Sequence, residues 1–142
     1  MIITTNWAES QNLIKPIRYQ VFIVEQQISE EEEWDDDDFV AIHALAFKNR
    51  LPIGTGRLII NETDQVNAKI GRMAVLENYR SQGYGRAILK KLIDVGKEKG
   101  VQEFILHAQV HALDFYLREG FKPEGDVFDE VDMPHQKMIL RI

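Results

Sequence analysis

Arg80-Ser-Gln-Gly-Tyr-Gly85 sets two glycines one residue apart where an extended apolar run gives way to a helical pattern. The preceding Ile70-Gly-Arg-Met-Ala-Val-Leu76 alternates and carries branched side chains, which reads as a strand. Strand, tight turn and helix start together make a cradle for an anion. Glycines let the main chain approach closely, the first amides of a helix lack intrahelical acceptors, and the helix dipole favours negative charge there. Residues Ser81, Gln82, Gly83, Tyr84, Gly85 and Arg86 would supply the amides, and Arg80 or Arg86 a guanidinium for the anion. Two glycines would equally suit a bare strand-to-helix bend, so the turn alone does not decide.

The elements that must hold such a turn follow from periodicity. Residues 2–6 suggest an opening strand, and Leu13, Ile14, Ile17, Val21 and Val24 recur at helical steps, which predicts a helix over about 12–26 with Pro16 in its first turn. Strands are expected at 40–47, 53–60 and 68–76, with turns at 49–52 and 61–67. A helix over 83–99 turns Ile88, Leu89, Leu92 and Ile93 inward, a strand follows at 102–106, and 108–119 reads as helix. Phe121 and the terminal 137–142 supply the last strands, either side of a long acidic loop at 124–134. Hairpins first and β-α-β-α-β last describe one domain, 1–142, of α/β class with mixed strand direction rather than a doubly wound sheet.

Composition narrows the chemistry. With 142 residues the chain can bury a real core, and with no cysteine it has no thiolate nucleophile, disulfide or zinc–thiolate site. The net charge of -6 is local: eight of the nine residues Glu30–Asp38 are acidic, and the remainder holds 15 acids against 17 Lys plus Arg. No basic stripe with aromatics points to nucleic acid, no metal-ligand spacing appears, and no segment has the length of a membrane span, so a cytoplasmic protein is expected. The acidic run reads as a solvated loop or short helix, or as a lure for amines over a substrate entrance.

Together with Met73-Ala-Val75, Ala112-Leu-Asp-Phe-Tyr116 and Glu119-Gly-Phe121, the glycine turn resembles the GNAT superfamily of N-acetyltransferases over roughly residues 12–135. Arg18-x-x-Val-Phe-x-x-Glu-Gln26, His43, Gly54-Thr-Gly-Arg57, Gly71-Arg-Met-Ala-Val75 and Leu106-His-Ala-Gln109 are similar to the small bacterial acetyltransferases of the ElaA and YjcF type. The resemblance implies a GNAT-type sheet, mostly antiparallel, with a splayed parallel strand pair and flanking helices. It implies acetyl-CoA as the acyl donor: diphosphate on 80–86, pantetheine against the main chain of Met73, Ala74 and Val75, an oxyanion near the Val75 amide, and a contact from Gln109, where the family often has Asn. Tyr116 would protonate the leaving thiolate. The implied reaction moves acetyl to a primary amine, small molecule or peptide, by direct attack in a ternary complex, and a homodimer paired through the final strand is open.

Such an amine must shed a proton. His43 on its strand and Glu25 at the end of the first helix are the leading candidates for the base, with His107, His111, Glu130 and His135 behind them. Arg57 and Arg72 would line the acceptor side or pair with Glu25. The alternative to an enzyme is a non-catalytic acyl-CoA sensor or interaction module on the same fold.

Overall fold

The computed structural model describes residues 1–142. Its first helix, α1 (Trp7–Arg18), is started by Asn6, whose side chain accepts the Glu9 amide at 2.9 Å. The helix therefore begins five residues before the expected position, and Pro16 sits inside it, where it removes one rung of the ladder. The chain then widens into a π-helical segment, Tyr19–Glu25, and the Tyr19 amide is shared between the carbonyls of Lys15 and Pro16.

Eight strands form one sheet, seven of them along a single path. β1 (Ile2–Thr5), β2 (Ile42–Lys48), β3 (Leu51–Ile60), β4 (Asn67–Val75), β5 (Glu103–Gln109), β6 (Lys122–Pro123), β7 (Phe128–Glu130) and β8 (Met133–Arg141) pair in the order β1-β2-β3-β4-β5-β8-β6, with β7 also on β8. Every pair is antiparallel except β4 with β5. The mixed α/β sheet expected from the sequence is thus present. Two of its hairpins turn on only two residues, Asn49-Arg50 and Val131-Asp132, all four with positive φ as such tight turns require. The second of them folds much of the expected 124–134 loop into β7 and the start of β8. The final strand lies inside the sheet, between β5 on one side and β6 and β7 on the other, so it offers no free edge for a second copy.

α3 (Tyr84–Glu98) buries the predicted Ile88, Leu89, Leu92 and Ile93 against Ala44, Ala46, Leu58, Ile70 and Phe104 on one face of the sheet. Each such side chain is worth about 1.5–3 kcal/mol in transfer from water. On the opposite face α1 and the π-helical segment bury Trp7, Ile14, Ile17, Val21 and Phe22 over Leu45 and Ala74. α4 is only Leu113–Arg118, because β5 runs on as far as Gln109. No helix is long and apolar enough to cross a membrane.

The acidic run takes the short-helix form, one of the two expected, but it is not the solvated segment expected. It folds as α2 (Glu30–Glu33), capped by Ser29, and a 3-10 turn, Asp36–Phe39. Glu33 and Asp38 are buried, and three arginines from three elements hold the run down. Arg18 of α1 donates to Glu33 at 2.6 Å and to Asp38 at 2.7 Å. Arg57 of β3 takes both oxygens of Asp35, at 2.7 and 2.9 Å, and also reaches Asp38 at 2.9 Å. Arg72 of β4 donates to the Glu33 carbonyl at 3.0 Å and to Asp35 at 3.2 Å. Arg57 and Arg72 therefore pair with this run and not with Glu25. Burial pushes the Glu33 carboxyl up, against the pull of Arg18 and Arg72. Burial also works on Asp35, but the hydrogen bonds and charge of Arg57 hold its carboxyl below the usual range.

Candidate active site

β4 and β5 are joined only from Asn67–Lys69 to Glu103–Ile105, after which no pairing connects them. A bulge forces part of this divergence. Between the pairs Thr55–Ala74 and Arg57–Gly71, Arg72 and Met73 stand opposite the single residue Gly56, and Arg72 adopts φ 52°. Gly56 leaves room there: an added Cβ would lie 2.6 Å from the Met73 sulfur and 3.0 Å from an Ile88 methyl, so these side chains would have to shift. The gap opens into a cleft of about 650 Å³ whose walls include Met73, Ala74, Val75, Leu106, Gln109 and Tyr116.

The glycine turn stands at the end of β4. Ser81 (φ 61°) and Gly83 (φ 88°) are left-handed, and the first amide to bond back into the chain is that of Ala87, to the Gly83 carbonyl at 3.0 Å. The amides of Ser81 to Arg86 find no acceptor within the chain, which leaves a row of donors at the head of a fifteen-residue helix. An added Cβ at Gly83 would meet nothing, so what the position demands is its φ; one at Gly85 would rest on the Phe115 ring at 3.6 Å. Such a turn fits a diphosphate. Neither flanking guanidinium is idle: Arg80 binds both oxygens of Glu25, at 3.0 and 2.9 Å, and the Val75 carbonyl at 2.8 Å, while Arg86 holds Glu119 at 2.8 Å. Gln82 accepts from Lys48 at 3.3 Å.

Tyr116 lines the cleft from α4 with its ring edge-on to Phe115 and Phe121. Burial alone pushes its hydroxyl up to about 12, so it is a proton holder and hydrogen-bond donor across the neutral range. Gln109, at the end of β5, exchanges two hydrogen bonds with Gln26, at 2.8 and 3.2 Å, and its carbonyl oxygen lies 2.6 Å from His111. In the sequence Gln26 is only the last residue of the string from Arg18, with no role attached. Only the fold, across 83 residues, brings it to the cleft.

The two leading base candidates are not brought to the cleft. His43 is 1% exposed, with its ring against Trp7 and its Nε2 2.9 Å from the Asp38 carbonyl, and burial pushes its pKa down. It packs beneath α1, on the same strand face as Leu45, and belongs to the arginine–carboxylate layer. Glu25 is occupied by Arg80. The cleft wall instead carries His107, His111, Glu130 and His135. His107 Nδ1 lies 3.0 Å from Glu130, and His135 Nε2 lies 3.8 Å from its other oxygen. Alternation within β5 would have pointed to His107: Phe104, Leu106 and Ala108 form its buried face, and His107 and Gln109 its other.

A mostly antiparallel sheet opened at its one parallel pair, with free amides at the head of the next helix, is the frame of an acyl-CoA-dependent acyltransferase. The chain belongs to the acetyltransferase (GNAT) family, whose sequence model matches residues 7–121. It is 37% identical to the Bacillus subtilis protein YyaT over 130 residues, covering 89% of this chain and 85% of that one. It is 32% identical to the uncharacterized N-acetyltransferase YjcF of the same organism, over 87% of this chain and 86% of that one. The crystal structure of Escherichia coli ElaA superposes with a TM-score of 0.87 at 26% identity, covering 98% of this chain and 97% of that one.

Proposed function

We propose that the protein moves an acetyl group from acetyl-CoA to a primary amine by direct attack in a ternary complex. The observation that carries this reading is the row of unpartnered amides from Ser81 to Arg86, set beside the open end of the β4–β5 gap. The turn would hold the diphosphate, with Arg80 and Arg86 at its margins, and the unpaired edge of β4 at Met73, Ala74 and Val75 would hold the pantetheine arm and the thioester. Amides on that edge, near Val75, would donate to the carbonyl oxygen as it gains charge. Gln109 would close the far side of the gap.

Tyr116 would donate to the sulfur as it leaves. A phenol at about 12 lies some 3.5 units above a thiol near 8.5, so complete proton transfer to the thiolate would run uphill by about 5 kcal/mol. The role that fits is a hydrogen bond to the developing thiolate, with solvent completing the proton transfer. With no cysteine in the chain, no acyl-cysteine intermediate can form.

Calorimetry with acetyl-CoA, dephospho-CoA and free pantetheine tests the cradle, and thiol release against a panel of amines tests the reaction. Micromolar binding that depends on the diphosphate is expected. Absence of binding at millimolar acetyl-CoA would refute the reading.

A further inference from the structure

His107 stands two residues beyond the last rung that joins β5 to β4, where the strands have parted. Its side chain is on the strand face opposite buried Phe104, Leu106 and Ala108 and lines the cleft, which Leu106 lines from the other face. Glu130 Oε1 lies 3.0 Å from its Nδ1. A carboxylate can only accept, so the proton sits on Nδ1 and the lone pair is left on Nε2. The Phe128 ring, edge-on at 5.1 Å, walls the imidazole on one side. A second imidazole stands near Glu130: His135, 4% exposed, donates its Nδ1–H to the Met133 carbonyl at 2.8 Å, which leaves Nε2 3.8 Å from the second Glu130 oxygen, beyond hydrogen-bond reach. Burial works against the Glu130 charge, but the hydrogen bond and charge of His107, with His135 and Lys69 behind, hold its carboxyl below the usual range. The whole array lies on one wall of the cleft that Tyr116 also lines.

We propose that His107 is the general base of the transfer and that Glu130 is the residue that positions it. The inference rests on the acetyltransferase reading. As the amine nitrogen bonds to the acetyl carbon, a proton from that nitrogen passes to His107 Nε2. The carbon–sulfur bond then breaks, the thiolate takes a proton by way of Tyr116 and solvent, and His107 returns its own proton to water at the cleft mouth. One N–C bond replaces one C–S bond, and the protons balance. The charged and titratable groups that line the cleft with the imidazole are Glu130 from β7, His135 from β8, Lys69 from β4 and His111 from the turn after β5, with Glu32, Glu33, Asp35 and Asp37 of the acidic run and Arg57, Arg72 and Arg80 on the remaining walls; Lys137 of β8 is its cross-strand neighbour.

Two measurements test this independently of one another, and the first is independent of the acceptor's identity. Nitrogen-15 NMR of the full-length protein across pH 5–9 reads the His107 tautomer. The Nδ1–H form is expected to dominate in the wild type and in Glu130→Gln, whose amide oxygen can still accept, and to give way in Glu130→Ala. A dominant Nε2–H form, or a tautomer unmoved by Glu130→Ala, would overturn the proposal. In the second, thiol release from acetyl-CoA is followed with glycinamide, spermidine and a dipeptide bearing a free N-terminus. His107→Ala should lose about 10²–10⁴-fold in kcat/KM and the rise of rate with pH, while its calorimetric affinity for acetyl-CoA stays within about threefold. Glu130→Ala should fall part of that way and Glu130→Gln recover most of it. Wild-type rate and pH profile in His107→Ala would also overturn the proposal. Failure of the wild type to bind acetyl-CoA would instead sink the reading beneath it and leave the tautomer result standing.

Discussion

Arg18 is fully buried, and replacing it with alanine should cost the protein more than any change to a surface ion pair. Its guanidinium donates from Nε to Glu33 at 2.6 Å, from Nη1 to Asp38 at 2.7 Å and from Nη2 to the Glu33 carbonyl at 3.1 Å. Its carbon lies between the rings of Trp7, 5.5 Å away, and Trp34, 5.0 Å away. Exposed pairs are worth about 0–1 kcal/mol, whereas removing one partner of a buried pair costs about 3–5 kcal/mol, because the stranded charge cannot be rehydrated in place. At about 3 °C per kcal/mol for a chain of this size, Arg18→Ala should melt roughly 10–15 °C below the wild type at pH 7. Arg18→Lys, which keeps the charge but not the fork, should fall between. The deficit should also depend on pH. Glu33 already has a folded pKa raised by burial. Such a group favours folding while protonated, and that contribution is lost as pH rises through the folded value. Arg18 offsets the raise, so its removal lifts Glu33 further, and the deficit should be largest at pH 7 and shrink toward pH 4. Differential scanning calorimetry at both values reads this directly. A mutant melting within 2 °C of the wild type at pH 7, or a deficit that grows on acidification, would refute the claim that the run is anchored by buried charge.

Tyr116→Phe should lower kcat by about 10–100-fold, the worth of one hydrogen bond to a charged group, with acetyl-CoA affinity little changed in calorimetry. Unaltered turnover would remove Tyr116 from the reaction. Glu25→Gln releases Arg80 from an exposed pair worth about 0.2–1 kcal/mol, so acetyl-CoA binding should tighten by up to about fivefold, and less in high salt. Weaker binding would mean that Glu25 holds Arg80 in its binding position. Gly96→Ala should destabilise by about 1–2 kcal/mol despite the better helix former, since the new Cβ would sit 2.5 and 2.7 Å from the fixed ring of Phe104. A raised melting temperature would show that α3 can shift away from β5.

What was legible in the sequence was what local periodicity encodes. The inward stripe of α3, the glycine turn and the mixed sheet all follow from spacings within a dozen residues. The start of α1 was also encoded, in Asn6 and Glu9, but the apolar rhythm from Leu13 drew the boundary later and so put Pro16 in the wrong turn. The extent of β5 was hidden because Ala108 and Gln109 suit a helix as well as a strand, and only pairing with His135 and Gln136 of β8 decides it. The acidic run could not be read locally at all. Eight acids in nine residues imply solvent unless cations come from elsewhere, and the three that bury it lie 15 to 39 residues away on α1, β3 and β4. His43 failed for a related reason: both faces of β2 are buried, so alternation could not say that its ring turns under α1 and not to the cleft.

The tail of the first helix ties the candidate site together. Glu25 and Gln26 are consecutive, yet Glu25 grips Arg80 beyond the end of β4 while Gln26 pairs with Gln109 at the end of β5. Adjacent residues thus straddle the gap that the parted strands leave, and each engages a group expected to meet the acyl donor. The widened turn after Pro16 delivers them there. A regular helix would advance its carbonyls and side chains by 100° per residue, whereas a π-helical stretch turns each residue through less. Both ends of the gap therefore answer to one short segment, which is packed through Val21 and Phe22 onto the same sheet face as the arginine–carboxylate layer. An acyl donor entering between β4 and β5 would have to compete with these two contacts, and the acidic run fastened by Arg18 sets the opposite wall. The buried charges of this protein thereby hold the shape of the cleft.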